Sequence, residues 1–164
     1  MLKRIRKTAV RAKGASFAIV ASSYNARYVD AMLAAALAEL KKAGAGEVKV
    51  LRVPGAYEVP IVAARLARRS AESRVRGRQD GFAAVLCLGL ILRGETAHAD
   101  HIGDAVSRAL MEIQVATEVP VIHAVLLMEN EQQAAKRCLG KEHNRGTEAA
   151  RTALTMASLM PSLD

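Results

Sequence analysis

FAAVLCLGLIL, residues 82–92, runs directly into RGETAHADH, residues 93–101. The first stretch is apolar at nearly every position instead of alternating, so it reads as a strand buried on both faces, the pattern of a parallel sheet covered by helices above and below. The second stretch crowds an arginine, a glutamate, a threonine, two histidines and an aspartate at the strand's end. From His98 to Thr117 the apolar residues Ile102, Val106, Ala109, Leu110 and Ile113 then recur at helical spacing. A strand, a reactive turn and a helix follow one another without a break.

The same unit repeats on either side. SFAIVASS (16–23) is a β-rich run, followed by a helix through RYVDAMLAAALAELKKAG with Val29, Met32, Leu33, Ala36, Leu37 and Leu40 inward, stopped at Gly44 and Gly46. EVKVLRV (47–53) alternates as a strand and VPGAYEVP turns the chain. Pro60 then suits the first turn of a helix through IVAARLARR, and the arginine-rich stretch up to Gly81 is predicted to be a loop. PVIHAVLL (120–127) is a further strand, ENEQQAAKRC (129–138) a helix, and TEAARTALTMASLM (147–160) a closing helix. Four strand–helix alternations with short connections predict a doubly wound α/β domain with a parallel sheet, right-handed crossovers and helices on both faces. Ligands in such sheets bind beyond the carboxyl ends of the strands. SSYN, PGAYE, LRGETAH and MEN all fall at that edge.

Composition narrows the function classes. With 164 residues, 51% hydrophobic, the chain is long enough for one domain with a real core. We divide it into a basic N-terminal arm, residues 1–14, and a single domain, residues 15–164. The arm holds six basic residues and no acid, and residues 65–80 hold six arginines against Glu72 and Asp80. These two segments account for more than the whole net charge of +8, so the remaining body is close to neutral. Basicity confined to two segments, with only three tyrosines, two phenylalanines and no tryptophan, does not describe a sequence-specific nucleic-acid surface. Cys87 and Cys138 sit within apolar periodic runs and read as small buried hydrophobes without a disulfide. No apolar stretch reaches membrane-spanning length, and the expected location is the cytoplasm, with the acid-free basic start leaving organelle targeting open.

In the 93–101 cluster, Gly94 permits a close backbone approach, Glu95 to Ala97 bring amides near a helix start suited to an anion, and Thr96 adds a hydroxyl. Ordinary N-capping by Thr96 is the plainer alternative. His98 is the candidate proton carrier, an imidazole being poised near neutral pH, against the alternative of an inert surface ring. His98 and His101, with Asp100 and Asp104, raise the question of a metal, but no further ligand pair completes a site, and no metal is expected. Gly44 and Gly46 end a helix and so do not form a dinucleotide fingerprint, and SSYNARY lacks a glycine-rich phosphate loop.

YNARYVDAMLAAAL, VPGAYEVP, GLILRGETAHAD, EVPVIHAVLLMENEQQA and NRGTEAARTALTMA, in this order from about Ser16 to Met160, resemble the 6,7-dimethyl-8-ribityllumazine synthase family. The resemblance implies a three-layer flavodoxin-like fold with a four-stranded parallel sheet in the order 2-1-3-4. It implies a transferase of riboflavin biosynthesis. Such an enzyme condenses 5-amino-6-(D-ribitylamino)uracil with 3,4-dihydroxy-2-butanone 4-phosphate, releases phosphate and water, and uses no cofactor. By the same resemblance Tyr24 stacks on the pyrimidine beside Asn25, and Ala56, Tyr57 and Glu58 receive the ribityl chain. Leu90, Ile91 and Leu92 meet the heterocycle, Glu95 and Thr96 form the phosphate turn, Arg137 pairs with phosphate, and His98 transfers protons.

The family's rings of five, in some members built into an icosahedral capsid of sixty subunits, imply a homopentamer whose site is shared, with His123, Arg137 and Lys141 reaching in from a neighbour. The partners expected are therefore two small molecules and further copies of the chain, with neither a specific nucleic acid nor a membrane. Three features depart from the family pattern: Ala99 and His123 stand where aromatics are common, and SAESRVRGRQD looks longer and more basic than usual. The alternative function is a noncatalytic lumazine- or flavin-binding or shell-forming relative, which would have lost the phosphate and proton-transfer groups that Thr96, Arg137 and His98 retain.

Overall fold

The computed structural model describes residues 10–140 and 143–163. Its elements alternate as the periodicity predicts: β1 (Phe17–Ser22), α1 (Ala26–Lys42), β2 (Val48–Val53), a 3-10 turn (Ala56–Glu58), α2 (Val59–Val75), β3 (Ala84–Leu92), α3 (His98–Thr117), β4 (Val121–Met128), α4 (Glu131–Cys138) and α5 (Arg145–Leu159), closed by a 3-10 turn at Met160–Ser162. The strands form one parallel sheet in the order β2-β1-β3-β4, as expected. β1 and β3 are the inner strands, and Phe17 to Ser22 and Ala84 to Leu90 are buried throughout. An inner strand between two helical layers meets protein on both faces, which is why its sequence does not alternate.

Alternate side chains of the inner strands feed two cores. Phe17, Ile19, Ala21, Leu86, Leu88 and Leu90 pack with α1, α4 and α5, through Val29, Met32, Ala134, Cys138, Ala150 and Leu154. Ala18, Val20, Val85 and Cys87 face α2 and α3, through Val59, Ala63, Val106 and Leu110. The helices α1 and α5 touch so closely that a Cβ at Gly146 would lie 1.9 Å from the Met32 carbonyl oxygen. Asn144 starts α5 by accepting the Gly146 N–H at 2.8 Å. The edge strand β2 does not alternate as read: Lys49, Val50 and Arg52 are exposed and only Val53 is buried, and the charges of Lys49 and Arg52 oppose strand-to-strand association.

A second expectation is corrected: α2 continues through the arginine-rich stretch to Val75, leaving only the residues after it as the loop. Leu66, Ala67, Ser70 and Ser73 keep one buried face through these two extra turns while the arginines line the other. Ser70 fastens the end, its hydroxyl donating to the Leu66 carbonyl at 2.9 Å and accepting the Phe82 N–H at 2.9 Å. A tally of arginines therefore concealed a helical periodicity carried by small residues.

Candidate active site

At the carboxyl ends of the strands a cleft of about 400 Å³ opens beside the point where the sheet order reverses between β1 and β3. Tyr24 and Asn25 follow β1, Gly55 to Glu58 follow β2, Leu90 to Leu92 end β3, and Gly94, Thr96, His98, Ala99 and Ile102 come from the turn and first helical turns after it. Ten of the residues given a site role by resemblance meet here, namely Tyr24, Asn25, Ala56, Tyr57, Glu58, Leu90, Ile91, Leu92, Thr96 and His98. Parallel strands that start together also end together, so loops remote in sequence converge on one rim.

Local geometry explains each wall. Asn25 caps α1 with a left-handed backbone, φ 57° and ψ 40°, and its Nδ2 donates to the Leu90 carbonyl at 2.8 Å, tying the Tyr24 loop to β3. Asparagine tolerates this conformation better than most residues with a side chain. Tyr24 is 71% exposed and Tyr57 62% exposed. Two largely uncovered phenols flanking one cleft in an aromatic-poor chain offer flat apolar faces to a planar ligand. Gly55 lets the chain approach closely, since a Cβ there would sit 3.1 Å from the Tyr24 ring and 3.0 Å from the Glu58 carboxylate and push one of them aside. One Glu58 carboxylate oxygen accepts the Gly55 N–H at 2.8 Å. That bond sets the carboxylate's direction and leaves the other oxygen to meet hydroxyls.

The turn after β3 is exposed from Gly94 to His98. Thr96 does not cap α3: the capping position is Ala97, and the Thr96 hydroxyl meets the His98 N–H only at 3.4 Å. The plain capping role considered for Thr96 is thus largely absent, and its hydroxyl and the helix-start amides are accessible to an anion. Glu95 belongs to the turn without lining the cleft. Arg93 beside it donates to Asp100 at 2.5 and 2.6 Å and to Glu129 at 2.7 Å, which holds the Asp100 carboxyl below the usual carboxylate range. Both cysteines are free and buried. Burial pushes the Cys138 thiol up to about 11 and Cys87 higher still, so neither supplies a thiolate near neutral pH.

Two residues assigned by resemblance, His123 and Arg137, lie elsewhere. His123 lines a second groove at the outer edge of β4 with Gln114, Arg145 and Thr152. Its Nδ1 accepts the Val125 N–H at 3.1 Å, its Nε2 lies 2.8 Å from the Ser107 hydroxyl, and burial lowers its pKa. Arg137 is exposed on α4, a helix packed on the opposite face of the sheet from α3. Lys141 lies outside the described residues. Gly94, read in the sequence as permitting a close backbone approach, lines the cleft as well; Gly55 and Ile102 line it without having been singled out for it, and only the inward phase of Ile102 on α3 signalled a placement.

The cleft therefore presents two exposed tyrosine rings, the Glu58 carboxylate at the 56–58 turn, and an imidazole, a hydroxyl and helix-start amides from the segment after β3. Comparison with known proteins gives the chain's family. A family model described as 6,7-dimethyl-8-ribityllumazine synthase matches residues 14–161. The chain is 40% identical over 156 residues to the 6,7-dimethyl-8-ribityllumazine synthase of Xanthomonas euvesicatoria pv. vesicatoria, covering 94% of this chain and 95% of that protein. It is 40% identical over 153 residues to the enzyme of the same name from Stenotrophomonas maltophilia, covering 92% of each, and 40% identical over 156 residues to that of Xylella fastidiosa strain M12, covering 94% and 95%.

Proposed function

Because the chain belongs to the 6,7-dimethyl-8-ribityllumazine synthase family, we propose that the strand-end cleft is where it joins 5-amino-6-(D-ribitylamino)uracil to 3,4-dihydroxy-2-butanone 4-phosphate. The product is 6,7-dimethyl-8-ribityllumazine, and the enzyme is a transferase of riboflavin biosynthesis. The observation that carries this reading is the convergence, in one cleft, of an exposed tyrosine, a carboxylate, an exposed helix-start turn and an imidazole, drawn from three separate strand ends.

The chemistry asks little of the protein beyond placement and proton transfer. The pyrimidine's amine adds to the ketone and loses water, loss of a proton beside the imine lets phosphate depart, and the second nitrogen closes the ring with loss of water. Tyr24 holds the ring flat, Asn25 fixes Tyr24's loop, and Ala56 to Glu58 take the ribityl chain. The Leu90–Leu92 backbone borders the heterocycle, Glu95 and Thr96 bring amides and a hydroxyl to the phosphate, and His98 relays the protons. Orienting two already reactive partners and holding the leaving phosphate supply most of the rate.

His123 and Arg137 stand away from their own chain's cleft, which supports a site shared between subunits. In this reading the chain is a homopentamer, residues 15–164 forming its one domain, and the neighbour supplies His123, Arg137 and Lys141. Arg137 then meets the phosphate that the turn alone leaves without a cation. The expected setting is the cytoplasm. Purified protein incubated with both substrates should form the fluorescent lumazine, and folded protein that forms none refutes the assignment. Sedimentation should give a five-subunit particle or a sixty-subunit shell, whereas a monomer turning over at full rate refutes the shared site.

A further inference from the structure

We propose that Arg93 is a positioning residue for this reaction, strapping the 94–97 turn and His98 into place through Asp100 and Glu129 without itself binding phosphate; the inference rests on the function proposed above.

Arg93 stands just past the end of β3, and its own N–H donates to the Met128 carbonyl at 2.9 Å, so its backbone is still anchored to the sheet. From that anchor the guanidinium reaches two other segments. Its two terminal nitrogens take both oxygens of Asp100, in the first turn of α3, and its Nε takes Glu129, just beyond β4. A planar fork meeting a carboxylate in two places fixes direction as well as distance, which a lysine ammonium does not. The residues so enclosed have little else to hold them. Gly94 to Ala97 are exposed, and among the described residues the bonds of this turn are the 3.4 Å contact from His98 to Thr96 and the helical bond from the His101 N–H to the Ala97 carbonyl. Joining residue 93 to residue 100 closes the loop at its base and delivers Thr96 and His98 to the cleft.

Charge argues against the simpler role of phosphate ligand. Arg93 faces two carboxylates at hydrogen-bond distance, so this cluster is net negative and its guanidinium is already engaged. An anion at the turn gains nothing from it electrostatically. The two roles then predict opposite signs at Asp100. If charge alone mattered, Asp100→Asn would remove a repulsion and tighten phosphate, while Arg93→Gln would weaken it. If the strap matters, both substitutions loosen the turn and both weaken phosphate.

The test uses full-length assembled protein. Arg93→Gln, Arg93→Lys and Asp100→Asn are compared with the parent by titration with inorganic phosphate and by steady-state kinetics, with folding checked by circular dichroism at the assay temperature. For both Arg93→Gln and Asp100→Asn we expect a tenfold or greater rise in KM for the phosphorylated ketone and a fall in kcat. KM for the pyrimidine should stay within twofold, and Arg93→Lys should recover only part of the loss. Tighter phosphate binding in Asp100→Asn overturns the proposal, as do values within twofold for both variants. So does a loss for both substrates together that tracks the folded fraction. The phosphate titration needs no turnover, so a parent protein that binds phosphate through the strap yet makes no lumazine would refute the proposed function and leave the strap standing.

Discussion

Asn25 is where fold and site are most directly coupled, and replacing it separates two contributions. Its side chain donates to the Leu90 carbonyl at 2.8 Å, and its backbone sits at φ 57°. Asn25→Gly keeps the left-handed conformation at no steric cost but loses the hydrogen bond, about 1 kcal/mol, and adds unfolded-chain entropy of about 0.5–1 kcal/mol. The sum is a destabilisation of roughly 1.5–2 kcal/mol. Asn25→Ala loses the same bond and exchanges an asparagine, whose short polar side chain tolerates the left-handed region, for an alanine, which does not; against glycine its Cβ costs about 1–2 kcal/mol there, offset by about 0.5–1 kcal/mol of unfolded-chain entropy. Alanine should thus be the worse of the two despite being the stronger helix former. Urea denaturation at one fixed protomer concentration measures both, the concentration being held because an assembling chain's stability depends on it. The Tyr24 loop is tethered to β3 by the same bond, so both variants should also raise KM for the pyrimidine. Alanine equal to or more stable than glycine would refute the left-handed strain, and stability lost with pyrimidine KM unchanged would refute the coupling to Tyr24.

His98→Ala should lower kcat at saturating substrates much more than it raises either KM, because a proton carrier acts mainly in the transition state; saturating kinetics check this, and unchanged turnover removes His98 from the role. Arg137→Ala should chiefly raise KM for the phosphorylated ketone, and mixing it with a His98→Ala chain should regain activity through hybrid sites if neighbours share them. His123 has its pKa lowered by burial, so its neutral ring favours the fold. Its contribution should be complete above the unfolded value of about 6.5 and be lost as pH falls through the lower folded value. Thermal unfolding of the parent and of His123→Phe at neutral and mildly acidic pH should show the smaller drop in the variant.

Much of this molecule was legible in order along the chain. Continuous apolarity in 84–92 signalled an inner parallel strand, and the helical spacing of α1 and α3 signalled their inward faces, because periodicity and burial are both local properties of a chain in a sheet–helix layer. Tyr24, Glu58, Thr96 and His98 stood out because reactive or aromatic side chains at strand ends have no packing reason to be there. The end of α2 was misread because its buried face is serine and alanine among arginines, where composition outweighs period. Three matters were decided only by tertiary structure. The left-handed cap at Asn25 exists because its amide finds the Leu90 carbonyl, a residue 65 positions away. Arg93 became a strap because the ends of β3 and β4 and the start of α3 meet in space. Arg137 was separated from the cleft by the sheet itself, since α4 packs on the face opposite α3. Propensity and pattern act over a few residues, whereas a hydrogen bond or an ion pair depends on where distant segments are brought together, and that is set by the packing of the whole chain.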